Sequence, residues 1–232
     1  MDEVDIRLIK FLLMNSRRSY RELADELGLS INAVHKRVQV LIELGIIRTF
    51  TAKVSLSVFR GITILVFGLS DSRLVDEVCK KLGDNDSTYW VSVAGGNYLY
   101  IGANLQNISE LESYVAYVKK EAQMSDPTVG IFHQEPLPQL GDTTPPRDKT
   151  LHPLDYQIIY ALHKNSRKPV SEVGEELRVS AKTIRRRLSR MISEGLIELS
   201  LEWYPDKSND VMTIFHLSLR SSVDKSEVTR LL

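Results

Sequence analysis

The sequence predicts an α+β protein in which two copies of a small helical unit flank a βαββαβ module, with the start of a further βα segment at the C-terminus. Three observations carry this prediction. The chain of 232 residues matches itself at an offset of 150 residues. Within each copy, apolar residues recur at helical spacing. Between the copies, short β-branched runs alternate with amphipathic stretches, the pattern of strands and helices layered on one sheet.

The self-match needs no gap. It aligns Asp5 with Asp155, Ile9 with Ile159, Leu12 with Leu162, Ser30 with Ser180, Arg37 with Arg187, Gly45 with Gly195 and Ile47 with Ile197. Asn15-Ser16-Arg17 falls on Asn165-Ser166-Arg167, and Glu26-Leu27 on Glu176-Leu177. In the first copy, Val4, Leu8, Ile9, Leu12 and Leu13 form the apolar stripe of a first helix. Ser19-Tyr20-Arg21-Glu22 has the capping-box pattern that opens a second, with Leu23, Ala24 and Leu27 inward and Gly28 as its stop. Ser30 caps a third helix running to about residue 44, with Ile31, Val34, Val38 and Leu41 on its buried face. After Gly45, residues 46–54 alternate and are β-branched, and read as an extended hairpin arm. Helix, turn, helix and hairpin make a winged helix-turn-helix, expected over residues 1–54 and again over 151–204.

The middle, residues 55–135, reads as a ferredoxin-like βαββαβ domain. Residues 62–67 form a buried strand, and Leu74, Val75, Val78 and Leu82 mark a helix ended by Gly83. Strands over 89–94 and 98–103 flank Gly95-Gly96-Asn97, a tight-turn signal. Leu111, Tyr114, Val115 and Val118 mark a second helix, and residues 128–132 a last strand after Pro127. Pro136, Pro138, Pro145 and Pro146 make residues 136–150 a stiff linker. Residues 205–232 hold a strand over 211–219 and a helix start from residue 225, the opening of a truncated second βαββαβ domain.

Composition excludes several classes. One Cys cannot build a disulfide framework, and an acidic N-terminus (Asp2, Glu3, Asp5) is not an export signal. The longest apolar stretch, near residues 62–69, is far short of a membrane span, so a cytoplasmic protein without membrane attachment is expected. The five His show no ligand spacing, and no Ser-His-Asp, paired-carboxylate or phosphate-loop pattern occurs. No catalytic residue, metal or cofactor is therefore expected. Cys79 reads as a packed thiol, and Trp90 and Trp203 as core or interface aromatics.

The net charge of zero hides an asymmetry: residues 1–54 carry nine Lys+Arg against seven Asp+Glu, 55–148 seven against twelve, and 149–204 ten against seven. Basic ends around an acidic middle suit polyanion contacts at two places. The third helix of each copy supplies them. Ser30, Asn32, Ala33, His35, Lys36, Arg37 and Gln39 face outward in the first, and Ser180, Lys182, Thr183, Arg185, Arg186, Arg187 and Arg190 in the second. A helix fits the major groove of double-stranded DNA, where Arg and Lys read guanine edges and Asn or Gln read adenine. The first wing adds Arg48 and Lys53, whereas the second carries Glu198 and Glu202 and is a poor phosphate binder.

These residues carry a family resemblance. Asp2-x-x-Asp5 with Ile9 and Leu12, Arg17, Glu22-Leu23-Ala24, Leu29-Ser30, Val34, Arg37-Val38, Leu41 and Gly45-Ile46-Ile47 resemble the DNA-binding domain of the Lrp/AsnC (feast/famine) transcription regulators. The resemblance implies sequence-specific DNA binding through helices over residues 30–44 and 180–194. It also implies a homo-oligomer, dimer or higher, built by the βαββαβ domains, and a small-molecule effector such as an amino acid held near Gly95, Gly96, Asn97 and Tyr98. The family tends to carry Gly-x-x-Asp in that turn; here Tyr98 stands where the Asp would fall. Two other readings remain at this point. Some siroheme decarboxylases, enzymes of haem synthesis, share the architecture, but the strands from Tyr89 to Leu105 contain neither His nor Arg to surround a tetrapyrrole. A winged-helix protein-interaction module is the third, favoured by the acidic second wing.

Overall fold

The computed structural model describes residues 1–59, 61–132 and 150–208, together with 210, 211, 213–217, 219, 220, 223 and 228. His133, most of the expected linker and most of residues 221–232 lie outside the described residues. The chain divides into two compact units, one of Met1–Phe11, Arg18–Thr49 and Leu201–Leu232, the other of Leu12–Arg17 and Phe50–Ser200.

In the first unit, α1 (Glu3–Met14) supplies its N-terminal part, followed by α2 (Tyr20–Leu27) and α3 (Ile31–Glu43). The capping box forms as expected. The Ser19 hydroxyl accepts from the Glu22 backbone N–H, the Glu22 carboxylate accepts from the Ser19 N–H, and Gly28 closes α2 at φ 66°. Leu8, Leu23, Val34 and Val38 are fully buried, and α2 packs against α3. Each turn of helix thus removes its apolar stripe from water, at about 25 cal/mol per Å².

The second unit contains the βαββαβ module and the helices of the second repeat. β2 (Ile62–Leu69), α5 (Val75–Gly83), β3 (Thr88–Ala94), β4 (Tyr98–Leu105), α6 (Leu111–Glu121) and β5 (Thr128–Phe132) follow the expected order. The sheet runs β3-β4-β2-β5, antiparallel throughout, so the two outer strands of the sheet are the second and fourth of the module. Ile64, Val66, Leu99, Ile101, Ala103 and Leu105 form a core with Val78, Leu82, Tyr114 and Val118 from the two helices. The alternate residues of the same strands, among them Phe67, Leu69, Trp90, Tyr98, Tyr100 and Phe132, lie on the opposite face by register. The Tyr89 ring lies over Gly102 there, close enough that a Cβ at 102 would sit 2.6 Å from it.

α7 (Pro153–Leu162), α8 (Val170–Leu177) and α9 (Ala181–Ser193) pack on one another around Ile158, Ile159, Val173, Ile184, Leu188 and Met191. This core includes Ala52 and, at its edge, Val54 and Val58 from the first half of the chain. They come from β1 (Ile47–Val54) and the short α4 (Leu56–Phe59).

Here the structure departs from the expected hairpins. Each repeat contributes one long strand, β1 and β6 (Ile197–Trp203), and these two make a two-stranded sheet. The reason lies in the strands: Ile47–Val54 contains no Gly, Pro, Asn or Asp that could fold it back on itself, so its polar backbone groups need a partner from elsewhere. The expected strand over 211–219 is likewise not formed by its described residues, 211, 213–217 and 219. A strand exists through its ladder, and these residues are assigned to none.

Beside the shared sheet lies a buried polar seam within the second unit. The hydroxyls of Ser16 and Ser166, both fully buried, are 2.6 Å apart. The Ser16 N–H donates to the Leu199 carbonyl (3.0 Å) and the Ser166 N–H to the Phe50 carbonyl (2.9 Å). The Arg17 guanidinium donates to the carbonyls of Ser166 and Lys168, and that of Arg167 to the carbonyl of Ser16 (2.7 Å). In each repeat the Asn side chain, Asn15 or Asn165, accepts from the Arg backbone N–H two residues on, at 3.0 Å. Burial, and then the neighbouring Arg167, push the Arg17 pKa down.

Two outcomes follow. Ser16→Ala, which leaves the Ser166 hydroxyl buried without its partner, should lower unfolding stability by about 1–3 kcal/mol in urea. Adding Ser166→Ala should then cost distinctly less than the first substitution; equal, additive losses would show that the hydroxyls do not pair. Cys79, half-buried beside the module core, has its thiol pushed up by burial and then by Asp76. It should alkylate with iodoacetamide at neutral pH much more slowly in the native protein than in urea.

Candidate DNA-recognition helices

α3 and α9 are built alike. Ser30 and Ser180 cap them, each hydroxyl accepting from the backbone N–H three residues on, Ala33 at 3.1 Å and Thr183 at 3.2 Å. Neither first turn holds an acidic residue, so the positive end of each helix stays open to an anion. Val34, Val38 and Leu41 are buried in one, Ile184, Leu188 and Met191 in the other.

The outward residues separate into two groups. Asn32, His35 and Lys36 are exposed on α3, as are Lys182, Arg185 and Arg186 on α9. Lys182, Arg185 and Arg186 form no ion pair among the described residues. Ala33, Gln39 and Thr183 are half-buried at the edge of the same faces, and the Thr183 hydroxyl lies 3.0 Å from that of Ser180. The His35 ring stands edge-on to Tyr20, their centroids 5.3 Å apart.

Arg37, Arg187 and Arg190 behave differently. Arg37 donates to Asp2 and to Asp5, each at 2.7 Å. Arg187 and Arg190 donate to the two oxygens of Asp155 at 3.1 and 2.6 Å, and this carboxylate is fully buried. It also accepts from the His152 backbone N–H at 2.9 Å. Charge-assisted bonds of this kind hold each helix to the start of its own repeat. Helical periodicity alone places 37, 187 and 190 outward, because they flank the buried stripe. The signal that identifies them is the repeat itself, since Asp5 and Asp155 recur at the same offset as Arg37 and Arg187.

On the strands, Arg48 donates to the Tyr204 hydroxyl at 3.2 Å and lies 4.0 Å from Glu202; Lys53 is exposed. The acidic residues of β6 are engaged within the protein, for the Glu198 carboxylate accepts from the Leu56 N–H at 3.3 Å. In the βαββαβ module, Gly96 takes the turn between β3 and β4 at φ 78°. The Asn97 side-chain amide donates to the Ser72 carbonyl at 2.8 Å, and the Asn97 carbonyl accepts from the Ser70 N–H. The Tyr98 ring lies against Tyr100 at 5.3 Å, and Gly95 is exposed at the tip. Among the described residues no helix is long and apolar enough to cross a membrane.

Comparison with known proteins accords with this geometry. The model of a winged helix-turn-helix DNA-binding family matches residues 1–48 and again 151–198, the two repeats. An uncharacterised HTH-type transcriptional regulator of Pyrococcus furiosus, PF2053, is 36% identical over 124 residues, covering 52% of this chain and 84% of that protein. The HTH-type transcriptional regulator Ptr1 of Methanocaldococcus jannaschii is 32% identical over 119 residues, 50% of this chain and 80% of its own.

The chain belongs to the HTH-type transcriptional regulators.

Within them its signature residues and βαββαβ module agree with the Lrp/AsnC type, and it is a DNA-binding regulator of transcription. The family model matches at both repeats, so this regulator carries the winged unit twice. Among solved structures, a siroheme decarboxylase, NirDL, aligns over 86% of this chain and 65% of its own at 18% identity, with a TM-score of 0.49. That likeness is too loose to bear on chemistry.

Asp155→Ala should strip two partly buried guanidinium groups of their shared carboxylate and cost about 3–5 kcal/mol of stability, read as a lowered urea midpoint. Asp2→Ala, at an exposed carboxylate, should cost much less. The Asp5 N–H, and then Arg37, hold the Asp2 carboxyl below its usual range. Its contribution is therefore present at neutral pH and lost as pH falls through the lowered folded value, so the wild-type advantage over Asp2→Ala should vanish in acid.

Proposed function

We propose that this regulator seats α9, and with it α3, in the major groove of double-stranded DNA. One observation carries the reading most strongly. On α9, Arg187 and Arg190 are paired with Asp155, and Arg190 also with Glu194, while Lys182, Arg185 and Arg186 remain exposed on the face beside Thr183. A helix that secures itself with two of its arginines and presents three further cations outward is arranged for a polyanion whose base edges accept hydrogen bonds. Arg48 and Lys53 serve phosphates in the first repeat.

The βαββαβ module joins copies of the chain into a homo-oligomer. Its outward sheet face, with Phe67, Leu69, Trp90 and Phe132, is broad and aromatic, and a second copy's sheet would cover it. An effector would bind at the turn Gly95–Tyr98. With the Asn97 amide engaged by Ser72 and Tyr98 in place of an acid, the pocket would take a ligand by stacking and backbone contacts, without a carboxylate to hold an amino group. We further read the protein as a non-enzyme of the cytoplasm. The strands that would surround a tetrapyrrole carry neither His nor Arg, and its relatives are regulators.

A salt-dependent titration of the protein with its own upstream region, against random duplex, tests this reading. Arg185→Ala or Arg186→Ala should weaken specific binding by about 1–3 kcal/mol where the residue reads a base, or lower the salt slope by about one where it contacts a phosphate. Unchanged affinity with both arginines removed would overturn the role of α9.

A further inference from the structure

The two recognition helices can be compared position by position at the 150-residue offset. Their supports are retained: the cap (Ser30 and Ser180), the buried stripe (Val34, Val38 and Leu41 against Ile184, Leu188 and Met191) and the locking pair (Asp5–Arg37 against Asp155–Arg187). The outward positions are not. Asn32 corresponds to Lys182, Ala33 to Thr183, His35 to Arg185 and Lys36 to Arg186. Burial classes match at these positions, exposed facing exposed and half-buried facing half-buried, so the same places on two similar helices carry different hydrogen-bonding groups.

The chemistry differs in kind. Arg185 is a rigid fork of donors suited to the two acceptors of guanine, and Lys182 adds a second cation that favours guanine where the first repeat has Asn32. Asn32 offers one donor and one acceptor, the pairing adenine requires. His35 is held edge-on by Tyr20, an aromatic contact that the second repeat lacks because residue 170 is Val. Identical heads would impose identical elements; these heads are not identical where reading takes place.

We infer that the two heads read unlike DNA elements, α9 a guanine-rich one and α3 an adenine-containing one, so that the operator joins two different sequences. This rests on the DNA-reading role proposed above.

Selection of duplexes from a random library by the full-length chain tests it, alongside the variant Lys182→Asn/Thr183→Ala/Arg185→His/Arg186→Lys, which gives α9 the outward residues of α3. Wild type should enrich two unlike elements. The variant should lose the guanine-rich one and enrich two like elements, with an unchanged urea midpoint because the altered residues lie outside the core. The reciprocal variant, Asn32→Lys/Ala33→Thr/His35→Arg/Lys36→Arg, should double the guanine-rich element instead. Repeats of a single element from wild type, or elements that neither variant alters, would overturn the inference while leaving DNA reading intact. Enrichment of no sequence at all would overturn both.

Discussion

The architecture depends on a polar constraint in its interior. Two serine hydroxyls meet at Ser16 and Ser166, and the arginine that follows each donates to the main chain of the other repeat's tripeptide. Buried hydroxyls, carbonyls and guanidinium groups are tolerated only when each finds a partner, and here the two hydroxyls and both guanidinium groups find theirs in the corresponding segment about 150 residues away, while the serine N–H groups donate to Leu199 and Phe50 on the strands. Asn-Ser-Arg appears twice in the sequence because each copy completes the other. Apolar packing alone would hold the same helices together, but would not specify which segment meets which.

A second constraint acts at the recognition helices, where the two copies reach similar anchorage with opposite charge. In the first, one arginine lies between two carboxylates; in the second, one carboxylate lies between two arginines. The exchange needs only two positions, Asp2 for His152 and Val40 for Arg190. It leaves the shared carboxylate wholly out of water, which makes Asp155 the more critical acid, and Glu194, 3.6 Å from Arg190, balances the second arginine. The three exposed cations of α9 thus stand above an anchor whose own charges are matched within the protein.

Much of this was legible in the sequence. Helical spacing located all six helices of the winged units, and capping chemistry at Ser19, Ser30 and Ser180 fixed where three of them begin. The module's strands and helices fall within a few residues of their expected places because Gly83, Gly95-Gly96 and Pro127 punctuate them. The destination of β1 was not legible. Period two tells which face a strand buries but not which strand it pairs with, and a partner 150 residues away leaves no local trace. The division of the arginines was half legible. Residues 37, 187 and 190 sit on the shoulder of the helix, where spacing permits either solvent or a neighbour, and only a carboxylate brought from the start of the repeat decides.

The pairing of β1 with β6 also has a meaning for the chain as it is made. Ala52 belongs to a core whose other walls are encoded after residue 150, so the first strand leaves the ribosome long before its partner exists. At ordinary synthesis rates the wait is on the order of ten seconds. During it an eight-residue strand free of Pro and Gly has no ladder to join. Lys53 and Arg48, whatever they meet in the finished protein, are then the charges that keep the nascent segment from joining another chain.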